Sequence, residues 1–297
     1  MQVDPFYVMN LSSALDQTQA TQEQLSQELS SGLRVTSIGD DPVAAAQNVQ
    51  LLNSIQQDDS FTQTTSLTQG MLQVADSALG GVVTQLNQVV SLATQANNGT
   101  LNASDLKSIS NQIAGVRDEV LSLANTSYQG QYIFAGSQTT TTPFTLDSTT
   151  TPATVTYNGD SDVSMLESPN GQAIQLNVPG NQIFTSATAN VLGTLNNLVA
   201  DYASGSTGNG VADTEALTNA LNFVGQQRVT IDNSITRLND ASGAATEEAT
   251  QLTAAQTNLM QADVASVSTQ LSLSESQQSA LINVIAALGQ GSLFDKL

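Results

Sequence analysis

The chain of 297 residues contains no cysteine, no histidine and no tryptophan. Without cysteine there is no disulfide framework, no thiolate nucleophile and no thiolate metal site. Without histidine the commonest general base and metal ligand is missing. Ser-His-Asp and Cys-His nucleophilic systems and His-x-x-x-His zinc sites are thereby excluded. Aromatic residues make up only 4%, too few for one large globular core, and long thin helical packing suits such a composition better.

Positive charge is also scarce. Six Lys and Arg stand against 26 Asp and Glu, and none of the six falls between Asp118 and Gln227. Nucleic acid is not an expected partner, because a binder needs clustered cations to displace counterions from phosphate. A membrane is not one either, since an anionic lipid surface attracts the same groups. No apolar run reaches the ~18 residues of a membrane span. Met1 to Asn10 has neither the basic n-region nor the apolar h-region of a cleaved signal peptide, so export is expected to proceed without one.

What the chain does have is heptad rhythm at both ends. A first helix is expected over about Phe6 to Leu33, with a seam at Val8, Leu11, Leu15, Thr18, Gln22, Leu25 and Leu29. Steps of three and four are those of a coiled coil. The last helix repeats the rhythm at Met260, Val264, Val267, Leu271, Ser274, Gln278, Leu281, Ile285 and Leu288. Each seam has two consecutive polar members, and matching polar layers fix alignment in such seams. Antiparallel pairing that matches them sets Thr18 and Gln22 opposite Gln278 and Ser274, Leu11 opposite Ile285, Leu25 opposite Leu271 and Leu29 opposite Val267. Ser and Thr at single seam positions also read as low-cost fillers of a Ser/Thr-rich chain.

Between the seams, Gln24 to Leu52 holds a helix, a stop and a second start. Gly39 breaks the period, Asp40 and Asp41 supply an N-cap that suits the helix dipole, and Pro42 occupies the first helical position, so a helix is expected from Val43. It runs to about Asn97 with a break near Asp58 to Ser60, and Asn97-Asn98-Gly99 ends it. Ser104 is expected to cap a shorter helix with the stripe Leu106, Ile109, Ile113, Val116, Val120 and Leu123, and with Arg117 and Asp118 on a solvated face. From Tyr128 the texture turns to strands and turns. Tyr132-Ile133-Phe134 reads as a strand ended by Gly136, Val155-Thr156-Tyr157 leads to an Asn158-Gly159 hairpin turn, and Pro169-Asn170-Gly171 is another turn. Ile174, Leu176 and Val178 alternate as a half-buried strand. Helix resumes near Ala189, a loop spans Gly205 to Gly210, and a long helix follows with Arg228 on its apolar stripe, where it snorkels or meets a carboxylate.

The expected fold is mainly α: a long antiparallel helical bundle or coiled coil formed by both termini, with a small β-rich insert. No catalytic residue, metal site or cofactor is expected. Asn158, Asp160 and Asp162 have the spacing of the first calcium-loop ligands, but Val163 stands where the turn glycine belongs and Pro169 where the bidentate Glu belongs. The pairs Asp40-Asp41, Asp58-Asp59 and Glu247-Glu248 suit caps and solubility better than glycosidic acid/base work, because adjacent residues point apart and aromatic sugar platforms are missing. Asn98-Gly99-Thr100 and Asn102-Ala103-Ser104 match glycosylation sequons but equally suit a helix stop and an N-cap.

Matched terminal heptads around a variable insert, and the passage from Ser30-Ser31-Gly32-Leu33-Arg34-Val35 into Asp40-Asp41-Pro42-Val43-Ala44, resemble the flagellin superfamily over about four fifths of the chain. Arg34 stands where that superfamily's Ser-Gly-x-Arg motif has its arginine. Within it, the Gln131 to Gly136 run with Tyr132, Phe134 and Gly136, then Pro143-Phe144 and the terminal Ser292-Leu293-Phe294, look more like the hook–filament junction members than like flagellin itself. The resemblance implies a structural, non-enzymatic subunit of an axial polymer, extracellular in the bacterial flagellum and needed for motility. The partners it implies are further copies of itself in a ring or axial assembly, a neighbouring hook-associated protein, flagellin, and an export chaperone at the C-terminal helix. It also implies three regions: an inner terminal coiled coil (1–42 and 260–297), a helical bundle (43–131 and 186–259) and an outer β-rich insert (132–185). A minor flagellin and, in another class, a coiled-coil adaptor are the alternatives.

Overall fold

The structure, a computed structural model, describes residues 5–294. Its elements in chain order are α1 (Pro5–Ser31), α2 (Pro42–Asn97), α3 (Ala103–Ala124), β1 (Ser127–Tyr128), β2 (Gln131–Tyr132), β3 (Phe144–Asp147), β4 (Thr154–Tyr157), β5 (Met165–Glu167), β6 (Ala173–Gln175), α4 (Gly180–Phe184), α5 (Val191–Ala203), α6 (Gly210–Met260) and α7 (Val264–Phe294). Long helices from both termini and a small insert of short antiparallel strands make this the mainly α fold that the heptads and turn signals predict. The chain divides into two compact units. One comprises Met1–Gln57 with Glu247–Leu297 and the other Asp58–Thr246.

The central unit has a closed core. On α2 the residues Leu79, Val82, Leu86, Val89 and Ala93 are completely buried, and they share one apolar cluster with Ile113 and Val120 of α3, Leu192, Leu195 and Leu198 of α5, and Leu217, Val224 and Leu238 of α6. The spacing of three and four along each helix turns every stripe the same way, and each large side chain so buried contributes roughly 1.5–3 kcal/mol. Arg228 resolves in favour of the carboxylate. Its Nε donates to Asp76 Oδ1 at 2.7 Å and its Nη2 to Asp76 Oδ2 at 3.0 Å, the planar fork that a lysine cannot present.

Three two-stranded antiparallel sheets make up the insert: β1 with β2, β3 with β4, and β5 with β6. The β1–β2 turn places Gln129 at φ 50° and Gly130 at φ 81°, the doubly left-handed pair of a tight hairpin. The insert does not keep a core of its own. Phe134 and Phe144 each meet Phe184 edge-on at 5.4 Å, and all three belong to the helical cluster.

Several local expectations are overturned. The helix α2 passes through Asp58 to Ser60 without a break, because polar residues without Gly or Pro do not interrupt the hydrogen-bond ladder. The cap of α3 is Asn102, not Ser104. Asn102 Oδ1 accepts from the backbone of Ser104 and Asp105, and Asp105 reaches back to the Asn102 N–H in a capping box. Arg117 is buried instead of solvated, with Asp118 on two of its nitrogens and Asn196 of α5 on the third. Asn158-Gly159 is not a hairpin turn. Strand β4 pairs backward with β3, Tyr157 opposite Phe144 and Thr154 opposite Asp147, so residues 148–153 make the connection. The strand expected over Tyr132-Ile133-Phe134 stops at Tyr132, and β6 ends at Gln175, before Leu176 and Val178.

Candidate assembly surface

In the terminal unit α1 and α7 pack against each other. Helix α1 closes at Gly32, whose left-handed φ of 70° lets its N–H return to Glu28 O at 2.8 Å. The chain then pairs antiparallel with the α6–α7 junction: Leu33 bridges Gln261, Arg34 N–H donates to Met260 O at 2.7 Å, and Ala262 N–H donates to Gly32 O at 2.9 Å. Met260 is the last residue of α6 and does not begin the final seam. The reason is Asp263, whose carboxylate accepts from the backbone of Ala265 and Ser266 and starts α7 afresh.

Along this pair Leu25, Ala262 and Val267 are buried together with Leu271 packed on them. Leu11, Leu15, Met260, Leu281 and Ile285 are half-buried, while Leu29 is 37% and Val264 is 51% exposed. The backbone of Val8 and Leu288 is helical, but their side chains lie outside the described residues. Of the polar seam members Ser274 is buried and Thr18, Gln22 and Gln278 are half-buried. Thr18 Oγ1 donates to Ala14 O of its own helix at 2.8 Å, so it is satisfied without a partner helix. A groove of about 650 Å³ between α1 and α7 is lined by Gln22, Ser26, Gln27 and Glu275 among others.

The Arg34 to Pro42 passage is a set of local braces. Arg34 donates to Asp41 Oδ2 at 3.0 Å and to Leu259 O at 3.1 Å, tying the end of α6 to the start of α2. Asp41 is the N-cap, accepting from Ala44 N–H at 3.0 Å, and Pro42 is the first helical residue. Asp40 does not cap. Its carboxylate gathers the N–H groups of Thr36 and Ser37 at 2.9 and 2.8 Å together with both hydroxyls, and these donors, the Thr36 N–H foremost, pull its pKa from the ordinary 3.8 to about 2. Asp41 is also lowered, first by the Ala44 N–H and then by Arg34.

Around these braces the unit exposes Ile38 (75%), Val43 (67%) and Val49 (56%). The heptad reading passed over them because they stand off the seam. The signal available was the presence of large apolar residues beside a capped loop with no stripe to join.

Tyr132, Phe134 and Gly136 lie in the central unit and hold the insert together. Phe134 O accepts from Gly180 N–H at 2.8 Å and from the Tyr157 hydroxyl at 2.9 Å, and Tyr132 Oη accepts from Thr142 at 3.1 Å. Gly136 has φ 69°, and a Cβ there would meet the Asp160 carboxylate and backbone. Asp160 accepts from the Ser137 N–H at 2.7 Å, from the Ser137 hydroxyl and from the Asp162 N–H at 3.1 Å. It therefore acts as a clasp between two loops. Among the described residues no three His, Cys, Asp or Glu gather as a metal site, and no helix is long and apolar enough to cross a membrane.

Residues 6–139 match the family described as the bacterial flagellin N-terminal helical region. The chain is 31% identical over 187 residues to flagellar hook-associated protein 3 of Salmonella typhimurium, covering 63% of this chain and 57% of that one, and 31% identical over 176 residues to the protein of the same name in Escherichia coli, covering 59% and 54%. It thus spans little more than half the length of these relatives. In fold it is similar to a flagellar hook-associated protein from Vibrio parahaemolyticus, with a TM-score of 0.64 at 20% identity over 75% of this chain and 100% of that one. Through its N-terminal helical region, and through its likeness to hook-associated protein 3, the chain belongs to the flagellin-like family.

Proposed function

We propose that this protein is a structural subunit of the bacterial flagellum that joins hook to filament, working outside the cell by binding further copies of itself, a neighbouring hook-associated protein and flagellin. The observation that carries this reading is the conjunction of two facts: hook-associated protein 3 is the relative matched over 63% of the chain, and the terminal unit leaves apolar side chains such as Ile38 and Val43 in water. A pair of helices with so small a buried cluster gains most of its order on association, where such faces become covered. The absence of His and Cys from the sequence leaves no ready nucleophile or base, which supports a structural role over a catalytic one. The antiparallel register that sets Leu11 opposite Ile285 belongs to the same reading, and the double variant L11C/I285C is expected to close a disulfide.

The test is electron microscopy of cells lacking the protein, with the medium assayed for flagellin. Hooks without filaments and flagellin shed into the medium are expected. Filaments of ordinary appearance would overturn the junction role. The second reading, a minor flagellin, draws on the match of residues 6–139 to the flagellin helical region. It predicts that the purified protein grows long filaments alone, whereas a junction subunit does not.

A further inference from the structure

Four Asn-Gly dipeptides occur in the chain, at 98–99, 158–159, 170–171 and 209–210. Such pairs are prone to one covalent change. The glycine backbone nitrogen attacks the asparagine side-chain carbonyl carbon, a C–N bond forms, and the side-chain nitrogen leaves as ammonia, giving a five-membered succinimide. Water then opens the ring at either carbonyl to give an aspartyl or isoaspartyl residue. Glycine favours the attack because no Cβ hinders its nitrogen, but the step also needs that nitrogen unengaged and the asparagine side chain able to turn.

Three of the four pairs are held. Gly171 N–H donates to Ser168 O at 2.8 Å while Asn170 Oδ1 accepts from Ser168 and Gln172. Gly210 N–H donates to Thr207 O at 2.6 Å, and Gly210 is the buried first residue of α6. The Asn158 side-chain amide donates to Thr142 O and Thr145 Oγ1, each at 3.3 Å, with Gly159 packed against Tyr157 and Ala135. The fourth pair is loose. Asn98 and Gly99 are both exposed, the Asn98 side chain and the Gly99 N–H have no hydrogen-bond partner, and a Cβ on Gly99 would meet nothing within 4 Å.

We propose that Asn98 is the deamidation site of this protein, a slow covalent modification at the end of α2. The new carboxylate arises at a helix C-terminus, where the dipole disfavours negative charge. It also stands next to Asn97, whose side chain accepts from the Tyr202 hydroxyl at 3.1 Å and donates to Thr214 at 3.2 Å. Asp201 and Asp213 flank that link, and Asp213 is held above the usual carboxylate range by burial and then by Asp201. The modification therefore loosens the corner where α2, α5 and α6 meet.

Purified full-length protein is incubated at mildly alkaline pH and body temperature, digested, and analysed by mass spectrometry with fragmentation that separates aspartyl from isoaspartyl products. A parallel sample is kept in guanidinium chloride. In the native sample Asn98 is expected to convert about tenfold or more faster than Asn158, Asn170 or Asn209, because those three react only after local opening. In denaturant the four rates should converge. Equal native rates, or another asparagine leading, would overturn the proposal. N98D should raise hydrogen exchange at residues 197–214, and exchange there identical to the unmodified protein would overturn the assigned consequence.

Discussion

The two units are built from the same kind of long helix, yet they hold themselves together differently. The central unit buries whole stripes from four helices around the Phe134, Phe144 and Phe184 group. The terminal unit buries only Leu25, Ala262 and Val267 with Leu271 beside them, and relies on backbone braces at the Arg34 passage for the rest. Large apolar side chains are present in both. What differs is how many of them find a partner within a single chain, and a helix pair that leaves its best contacts unmade is stable chiefly in company.

The sharpest way to break this contrast is a core truncation in the central unit. Phe184 is fully buried and touches both other phenylalanines, so Phe184→Ala is expected to cost about 3–5 kcal/mol in denaturant unfolding of the isolated chain. A loss below about 1 kcal/mol would mean that the insert collapses onto the helices without it. The matching change in the terminal unit is Leu25→Ala, expected to lower the opening free energy of α1 and α7 by about 2 kcal/mol, the low end for a leucine in so small a cluster. Hydrogen exchange should register that loss in α1 and α7 and leave α3 and α5 protected as before. Equal loosening in both units would show that they unfold as one.

How much of this was legible from the chain depended on how far apart the cooperating residues stand. The Asp41–Pro42 start of α2 was readable because cap and helix are neighbours. The heptads of α1 and α7 were readable because periodicity is repeated many times over. Arg117 was misread as solvated because its burial comes from α5, where Asn196 lies 79 residues away. The Asn158-Gly159 turn was misread because the pairing partner of β4 precedes it, and the Asp147 carboxylate already folds the alternative loop by accepting from the Thr149 N–H and hydroxyl. Met260 was assigned to the last helix because its heptad phase runs on through Asp263, and phase alone does not reveal a cap that restarts the ladder. The motif at Tyr132, Phe134 and Gly136 was visible as a motif. Its job of closing the insert around Asp160 required tertiary contacts that no local pattern carries.

Smaller effects separate local bracing from core packing more finely. Asn102→Ala removes both capping-box bonds at the start of α3 and is expected to cost about 1 kcal/mol of central-unit stability. That falls well short of a core truncation, and the terminal unit should be unaffected. A cost as large as that of Phe184→Ala would mean that α3 is held by its end more than by its stripe.

The smallest effect is electrostatic and confined to the Thr36–Asp40 loop of the terminal unit. Asp40 is fully at the surface, and its pKa of about 2 lies below the ordinary 3.8 because the Thr36 and Ser37 N–H groups, then their hydroxyls, prefer the carboxylate. A group depressed in the folded state adds stability above its unfolded pKa and loses it as pH falls through the folded one, so the brace is complete above about pH 5 and fades between about pH 4 and 2. Amide NMR shifts of Thr36 and Ser37 should therefore titrate together with a midpoint near 2, while the amides of α3 stay in place. A midpoint at the ordinary 3.8 would mean that the loop is already open in the free subunit. The terminal unit would then depend on assembly even for its local braces, which widens the gap between the two units.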